Sequence, residues 1–232
     1  MKRLLTASAG CSACYLAFIL DPRLPGARFG VVLKVACIGL LVLVAALAKP
    51  QRKLLALALL FSACGDLLLD VRHLGRLGPV QLFLWGLISF LIAHAFYIAL
   101  FATNRQRGVS TARKVACAIV VLVAIVNLRV LWPGLAEMRI PVLVYCAVLT
   151  TMAVLAQSSQ FSSRVAIGAL FFVASDTMLA LDIFGHPFSG SRVLVWITYY
   201  LAQCMITLGV LGGARQLKLR EREGDGVSLR ST

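Results

Sequence analysis

Two aspartates stand where aspartate is expensive. Asp66, in Phe61-Ser62-Ala63-Cys64-Gly65-Asp66-Leu67-Leu68-Leu69-Asp70, and Asp176, in Gly168-Ala169-Leu170-Phe171-Phe172-Val173-Ala174-Ser175-Asp176, each lie well inside a run apolar enough to cross a lipid bilayer. A charged residue at mid-bilayer costs at least about 2.5–3.5 kcal/mol on insertion scales, so it normally faces a bundle interior, has a partner and marks function. Two carboxyl groups sharing one poorly solvated pocket seldom both ionise. One can then hold its proton as a general acid while the other serves as a base. The bland alternative is that each acid merely pairs with an interhelical donor, or with Lys34 or Arg129, the two cations that fall inside apolar runs.

Other polar groups accompany them. His94, in Phe90-Leu91-Ile92-Ala93-His94-Ala95-Phe96-Tyr97, can serve as a ligand, a proton shuttle or a hydrogen-bonded packing residue. The other histidines, His73 and His186, lie in loops, and no pair has the spacing of a helix-borne metal site. Tyr200 and Gln203 are three apart and share a helix face, so both can address one substrate or bond to neighbouring helices. Gly65 before Asp66 and Ser175 before Asp176 are small enough to let helices approach closely.

The elements that must position these residues are membrane helices. The chain has 232 residues, is 60% hydrophobic and only 14% charged, and its mean hydropathy is +0.91, which excludes an ordinary soluble domain. Spanning a bilayer takes about 20 apolar residues. Eight segments qualify: Leu4–Leu20, Phe29–Ala48, Leu54–Val71, Gln81–Ala102, Val115–Leu131, Ile140–Gln157, Val165–Phe184 and Val193–Leu211. The fold class is therefore all-α, a polytopic bundle of eight transmembrane helices over residues 1–213. Residues 214–232 form a polar tail, expected to be disordered. Short connections rich in breakers, such as Asp21-Pro22-Arg23-Leu24-Pro25-Gly26 and Trp132-Pro133-Gly134, leave no room for a soluble domain between spans.

The net charge of +14 would suggest a nucleic-acid partner in a soluble protein; here the basic residues flank apolar runs, where they set topology and meet anionic headgroups. With the N-terminus cytoplasmic, that side carries 15 Lys and Arg and the other side 6. Both termini are accordingly expected in the cytoplasm. This topology brings Asp66, Asp176, His94, Tyr97, Tyr199, Tyr200 and Gln203 to similar depth, around one cavity open to the outer side. Met1-Lys2-Arg3 and Ser8-Ala9-Gly10-Cys11 resemble a signal peptide and a lipoprotein cleavage site, but the apolar run before Cys11 is too short, so an uncleaved first span is expected. The seven cysteines, the Cys11/Cys14 pair included, suit small core residues better than a disulfide framework.

Taken together, these motifs make the chain resemble the YhhN family of membrane proteins, whose characterised members are lysoplasmalogenases. The resemblance is carried by Lys49-Pro50 after the second span, Phe61-Ser62 through Gly65-Asp66, Phe90 through His94 to Tyr97, Gly168-Ala169 through Phe171 to Ser175-Asp176, and Tyr199-Tyr200-Leu201-Ala202-Gln203. It covers nearly the whole membrane region; Ala63-Cys64 and Ala174 vary only the filler.

It implies hydrolysis of the vinyl ether bond of a lysoplasmalogen to a fatty aldehyde and glycerophosphocholine or glycerophosphoethanolamine, with no metal or organic cofactor. A vinyl ether hydrolyses by protonation at carbon, giving an oxocarbenium ion that water attacks. Asp66 and Asp176 suit the acid and base roles, in an order left open. His94, Tyr200 and Gln203 would orient water or the glycerophosphate, with Tyr97, Tyr199 and Ser175 beside them and Arg72 meeting phosphate at the outer rim. The expected location is the cell membrane, the inner membrane in a Gram-negative bacterium. A proton-coupled small transporter or lipid-binding membrane protein is the rival class, and a metal-dependent lipid hydrolase is a third.

Overall fold

The computed structural model describes the backbone of residues 1–21, 27–48, 53–71, 78–106 and 108–228, and the side chains of these except 27, 28, 79 and 213–228. Eight α-helices run in chain order: α1 Lys2–Leu20, α2 Ala27–Ala46, α3 Lys53–Val71, α4 Pro79–Ala102, α5 Thr111–Leu131, α6 Arg139–Gln157, α7 Ser163–Ile183 and α8 Ser191–Ser228. Each is long and apolar enough to cross a membrane, so the protein is a multi-pass membrane protein. The starts of all eight fall within four residues of the apolar runs read from sequence. α8 keeps a helical backbone to Ser228, into the segment expected to be a disordered tail.

Helix ends follow local chemistry. Pro79 opens α4, where its missing N–H costs nothing. Ser110 caps α5, its hydroxyl accepting from the Arg113 amide. After α5, Trp132-Pro133-Gly134 and Ala136–Met138 form two short 3-10 turns that reverse the chain into α6.

In lipid there is no hydrophobic force between helices, so close packing must hold them. α7 lies along α8 because Gly168 lets the backbones meet: a Cβ there would lie 3.0 Å from the Ala202 carbonyl oxygen and 3.1 Å from the Ile206 nitrogen. The main core contains Ile38, Leu41, Leu59, Tyr97, Phe101, Met152, Phe172 and Ile206. Helices α2, α3, α4, α6, α7 and α8 surround it, with α1 laid against α2 and α8, and α5 against α6. α4 and α5, though consecutive, barely pack against each other.

The loops at the N-terminal end of the bundle are tied together. The Arg113 guanidinium donates to the carbonyls of Gln157 and Ser159, each at 3.0 Å. The Gln106 amide donates to Ser158 O at 3.0 Å, and the Gln160 amide to Asn104 O at 2.8 Å. The cysteines depart from expectation. Only Cys37 is buried, while Cys14 and Cys64 are exposed on outward helix faces, where a thiol is apolar enough to meet lipid.

Candidate active site

At the opposite end of the bundle from the N-terminus, a cavity of about 640 Å³ opens among the helix ends. That volume falls in the usual range for small-molecule sites, roughly 300–1,000 Å³. Both aspartates line it. Asp66 comes from α3, whose preceding Gly65 leaves room for the Phe90 ring: a Cβ at Gly65 would lie 2.6 Å from that ring. Asp176 comes from α7, where the preceding Ser175 hydroxyl ties α7 to α8 by donating to Val195 O at 3.0 Å.

The two acids have different surroundings. Asp66 Oδ2 accepts from the Tyr199 hydroxyl at 2.7 Å, and its Oδ1 lies 3.3 Å from Lys34 Nζ. The same ammonium lies 3.1 Å from Asp70 Oδ1, one helical turn along α3. Asp176 Oδ2 accepts from the Tyr145 hydroxyl, and no cation forms an ion pair with it among the described residues. Asp66 and Tyr199 are nearly sealed from solvent and Lys34 is mostly buried, so each polar contact acts at reduced effective dielectric.

The cavity wall is chemically divided. Around α1, α2, α3 and α8 it carries Asp21, Lys34, Asp70 and Arg192 with the rings of Tyr15 and Trp196. Those rings meet edge to face at 4.6 Å, and Trp196 Nε1 donates to Ser12 at 3.1 Å, fixing α1 against α8. Around α4, α5 and α6 the wall is Leu87, Ala124, Leu128, Leu131, Val142, Cys146 and Leu149, relieved by Asn127 and Thr150. Asp66 stands on the charged side, beside Lys34, and Asp176 reaches Tyr145 of α6. Five of the chain's nine acidic residues line this one cavity in a protein of net charge +14.

Of the residues singled out from sequence, the cavity brings together Asp66, Asp176, Ser175 and Tyr199. His94, Tyr97, Tyr200 and Gln203 do not line it. His94 and Gln203 are fully buried behind the wall. His94 Nδ1 donates to Phe90 O at 2.6 Å, and its ring stands edge-on to Tyr145 and Phe172. The Tyr97 hydroxyl donates to Gln203 Oε1 at 2.6 Å. Tyr200 turns the other way and shares a 2.9 Å hydrogen bond with Ser8, whose hydroxyl donates to Cys37 O. These four are therefore not among the residues that line the cavity. Arg72 and Lys49-Pro50 lie outside the described residues.

The cavity also holds Tyr145, Asn127 and Arg192, which the sequence does not mark, and Lys34, which it marks only as a neutralising partner. Depth was the available signal for Tyr145, which enters α6 six residues from Arg139, while Asp176 lies seven residues before Ile183 on the neighbouring helix. Among the described residues no group of three or more His, Cys, Asp or Glu is arranged to hold a metal ion.

Comparison with known proteins gives a consistent pattern. The profile of the YhhN family matches residues 29–210. A protein of Mycobacterium bovis named lysoplasmalogenase is 35% identical over 186 residues, covering 77% of this chain and 69% of its own. Lysoplasmalogenase TMEM86B of Sus scrofa is 33% identical over 155 residues, covering 66% of this chain and 61% of its own. Lysoplasmalogenase TMEM86A of Homo sapiens is 28% identical over 169 residues, covering 71% and 68%. No solved structure matches the chain. With a family profile spanning most of the membrane region and relatives of one name aligned along it, the chain belongs to the YhhN family.

Proposed function

We propose that this chain is a membrane hydrolase that cleaves the vinyl ether bond of lysoplasmalogens, releasing a fatty aldehyde and glycerophosphocholine or glycerophosphoethanolamine. The observation that carries this reading is the make-up of the cavity: charged residues from α2, α3 and α8, apolar residues from α4, α5 and α6, and two carboxyl groups line one space. A single-chain lipid has matching charged and apolar parts, with its vinyl ether at the junction between polar head and hydrocarbon. The relatives' shared name supports the same activity.

Asp66, held against the Lys34 ammonium, serves as the carboxylate. Asp176, which receives the Tyr145 hydroxyl on Oδ2 and faces no cation among the described residues, serves as the proton donor through Oδ1. Asp176 protonates the alkenyl carbon remote from the ether oxygen, and positive charge develops on the carbon bonded to that oxygen. The Asp66 carboxylate stabilises this oxocarbenium ion. Water then adds to the charged carbon and loses a proton to a carboxylate. In the resulting hemiacetal the hydroxyl proton passes to the ether oxygen as the C–O bond breaks, leaving aldehyde and alcohol. Tyr199 and Tyr145 hold the two carboxyl groups in place, and Lys34 or Arg192 meets the phosphate.

The excess of Lys and Arg beside the N-terminal ends of odd spans supports a cytoplasmic N-terminus and a cavity opening on the non-cytoplasmic face of the cell membrane. Residues 214–232 then form a polar cytoplasmic tail. The test is aldehyde release by purified protein from 1-alkenyl lysophosphocholine and lysophosphoethanolamine, detected by mass spectrometry, with the saturated 1-alkyl analogues as controls. Asp176→Asn, which removes the acid but keeps its shape, is expected to lower turnover by about 10²–10⁴-fold, the usual contribution of a general acid. Absence of aldehyde from the folded wild type, or normal turnover by Asp176→Asn, overturns the proposal.

A further inference from the structure

We infer that the trench between α4 and α5, floored by α6, is a lateral portal through which the substrate's single hydrocarbon chain enters from the bilayer and in which it lies during reaction. The inference rests on the reading of the cavity as a lysolipid site and adds where the chain goes. Three observations converge on it. First, α4 and α5 barely pack against each other, yet both contribute cavity wall, Leu87 from α4 and Ala124 and Leu128 from α5. The gap between them is therefore part of the cavity.

Second, the α6 side of that gap is mainly apolar: Cys146 and Leu149 of α6 line it, with Thr150 beside them, and the Cys146 thiol approaches Ala124 O at 3.9 Å, setting α5 beside α6 at that level. Third, the end of the trench toward the bundle mouth is closed. Leu131, Leu135 and Val142 form a small separate core with Phe184 packed on it, and the Phe184 ring meets Phe83 of α4 edge to face at 6.0 Å. A chain anchored near Asp176 thus meets a roof above and finds its apolar continuation sideways, toward lipid. The occupant is fixed by continuity. The trench joins the acids at one end, and one linear chain is what a lysolipid brings there.

The experiment separates this inference from the catalytic one because it reads binding. Saturated 1-alkyl lysophosphocholines of 10 and 18 carbons, which have no vinyl ether to cleave, are titrated into protein held in lipid nanodiscs, and binding is followed by native mass spectrometry. Ala124→Phe places a ring across the trench. It is expected to weaken the 18-carbon lipid at least tenfold and the 10-carbon lipid less than threefold. Leu128→Ala widens the trench instead and is expected to favour a methyl-branched 18-carbon chain over the linear one by at least fivefold relative to wild type.

Equal weakening of both lipids by Ala124→Phe, or unchanged ratios in both variants, overturns the portal. Should Ala124→Phe fail to fold, Leu128→Ala decides alone. Aldehyde assays on the same preparations keep the two claims apart: chain-dependent binding without aldehyde sinks the proposed reaction and leaves the portal standing, and aldehyde release with an unaltered chain profile does the reverse.

Discussion

Lys34→Met offers the sharpest test of how this cavity tolerates its acids. One ammonium serves two carboxylates, at 3.3 Å from Asp66 and 3.1 Å from Asp70, and its side chain is only 15% exposed. Methionine keeps the length and apolar stem but removes the charge, leaving two acids one helical turn apart with no shared cation. Removing one partner of a buried ion pair typically costs about 3–5 kcal/mol, much of it the penalty on the charge left behind. The Asp70 side chain is 25% exposed and water relieves part of its loss, so the lower end, about 3 kcal/mol, applies. On the scale of a chain this size that corresponds to a fall of roughly 6–12 °C in unfolding temperature.

The assay is thermal unfolding in detergent, followed by Trp fluorescence, beside the rate of aldehyde release. Lys34→Met with Asp70→Asn removes the repulsion between acids and is expected to recover part of the lost stability, whereas activity stays low because Asp66 still lacks its cation. Unfolding at the wild-type temperature together with normal turnover in Lys34→Met would refute the view that Asp66 is held as a carboxylate by Lys34.

Further outcomes follow from the same geometry. Tyr199→Phe removes the hydrogen bond to the Asp66 carboxylate and is expected to lower kcat by about tenfold or more, in line with roughly 1.5–3 kcal/mol for bonds to charged groups, while Tyr145→Phe removes the one to the protonated Asp176 and is expected to lower it by about two- to tenfold, in line with roughly 0.5–1.5 kcal/mol for neutral pairs, both with little change in KM; steady-state kinetics on one lysolipid checks both. Tyr200→Phe loses the bond to Ser8 at a residue that does not line the cavity, and is expected to cost about 1 kcal/mol of stability while leaving KM unchanged. Gly168→Val forces side-chain carbon against the Ala202 carbonyl and is expected to destabilise the α7–α8 pair by about 1–3 kcal/mol, measured as a lowered unfolding temperature.

Sequence and structure agree most closely along the membrane normal. Apolar runs bounded by Lys, Arg, Pro and Gly fix where each helix begins and ends, because a bilayer demands a set length and tolerates little charge within it. Alternating direction then puts the late residues of odd helices beside the early residues of even ones, so Asp66, Asp176 and Tyr199 could be assigned a common depth before any coordinates. Rotation about the helix axis was not legible. A membrane helix is apolar on its lipid face and its core face alike, so the pattern that reveals the buried side of a soluble helix is weak here. For that reason His94 and Gln203, at a plausible depth, turned out to stand behind the wall, and Tyr145, set among Val144 and Cys146 with nothing to mark it, turned out to hold Asp176. Lys34 carried an ambiguous signal, since a cation beside an acid can neutralise it or tune it.

The Arg113 clamp has a mechanical consequence. It fastens the start of α5 to the turn between α6 and α7, while the far tip of α5 is held in the small core of Leu131, Leu135 and Val142. A rod held at both ends yields in its middle. From Arg113 to Leu131 the helix is about 27 Å long at 1.5 Å per residue, so its freest point lies about 13 Å from either hold. Bowing there changes the gap beside α4 and leaves both fastened ends, with their bonds, undisturbed.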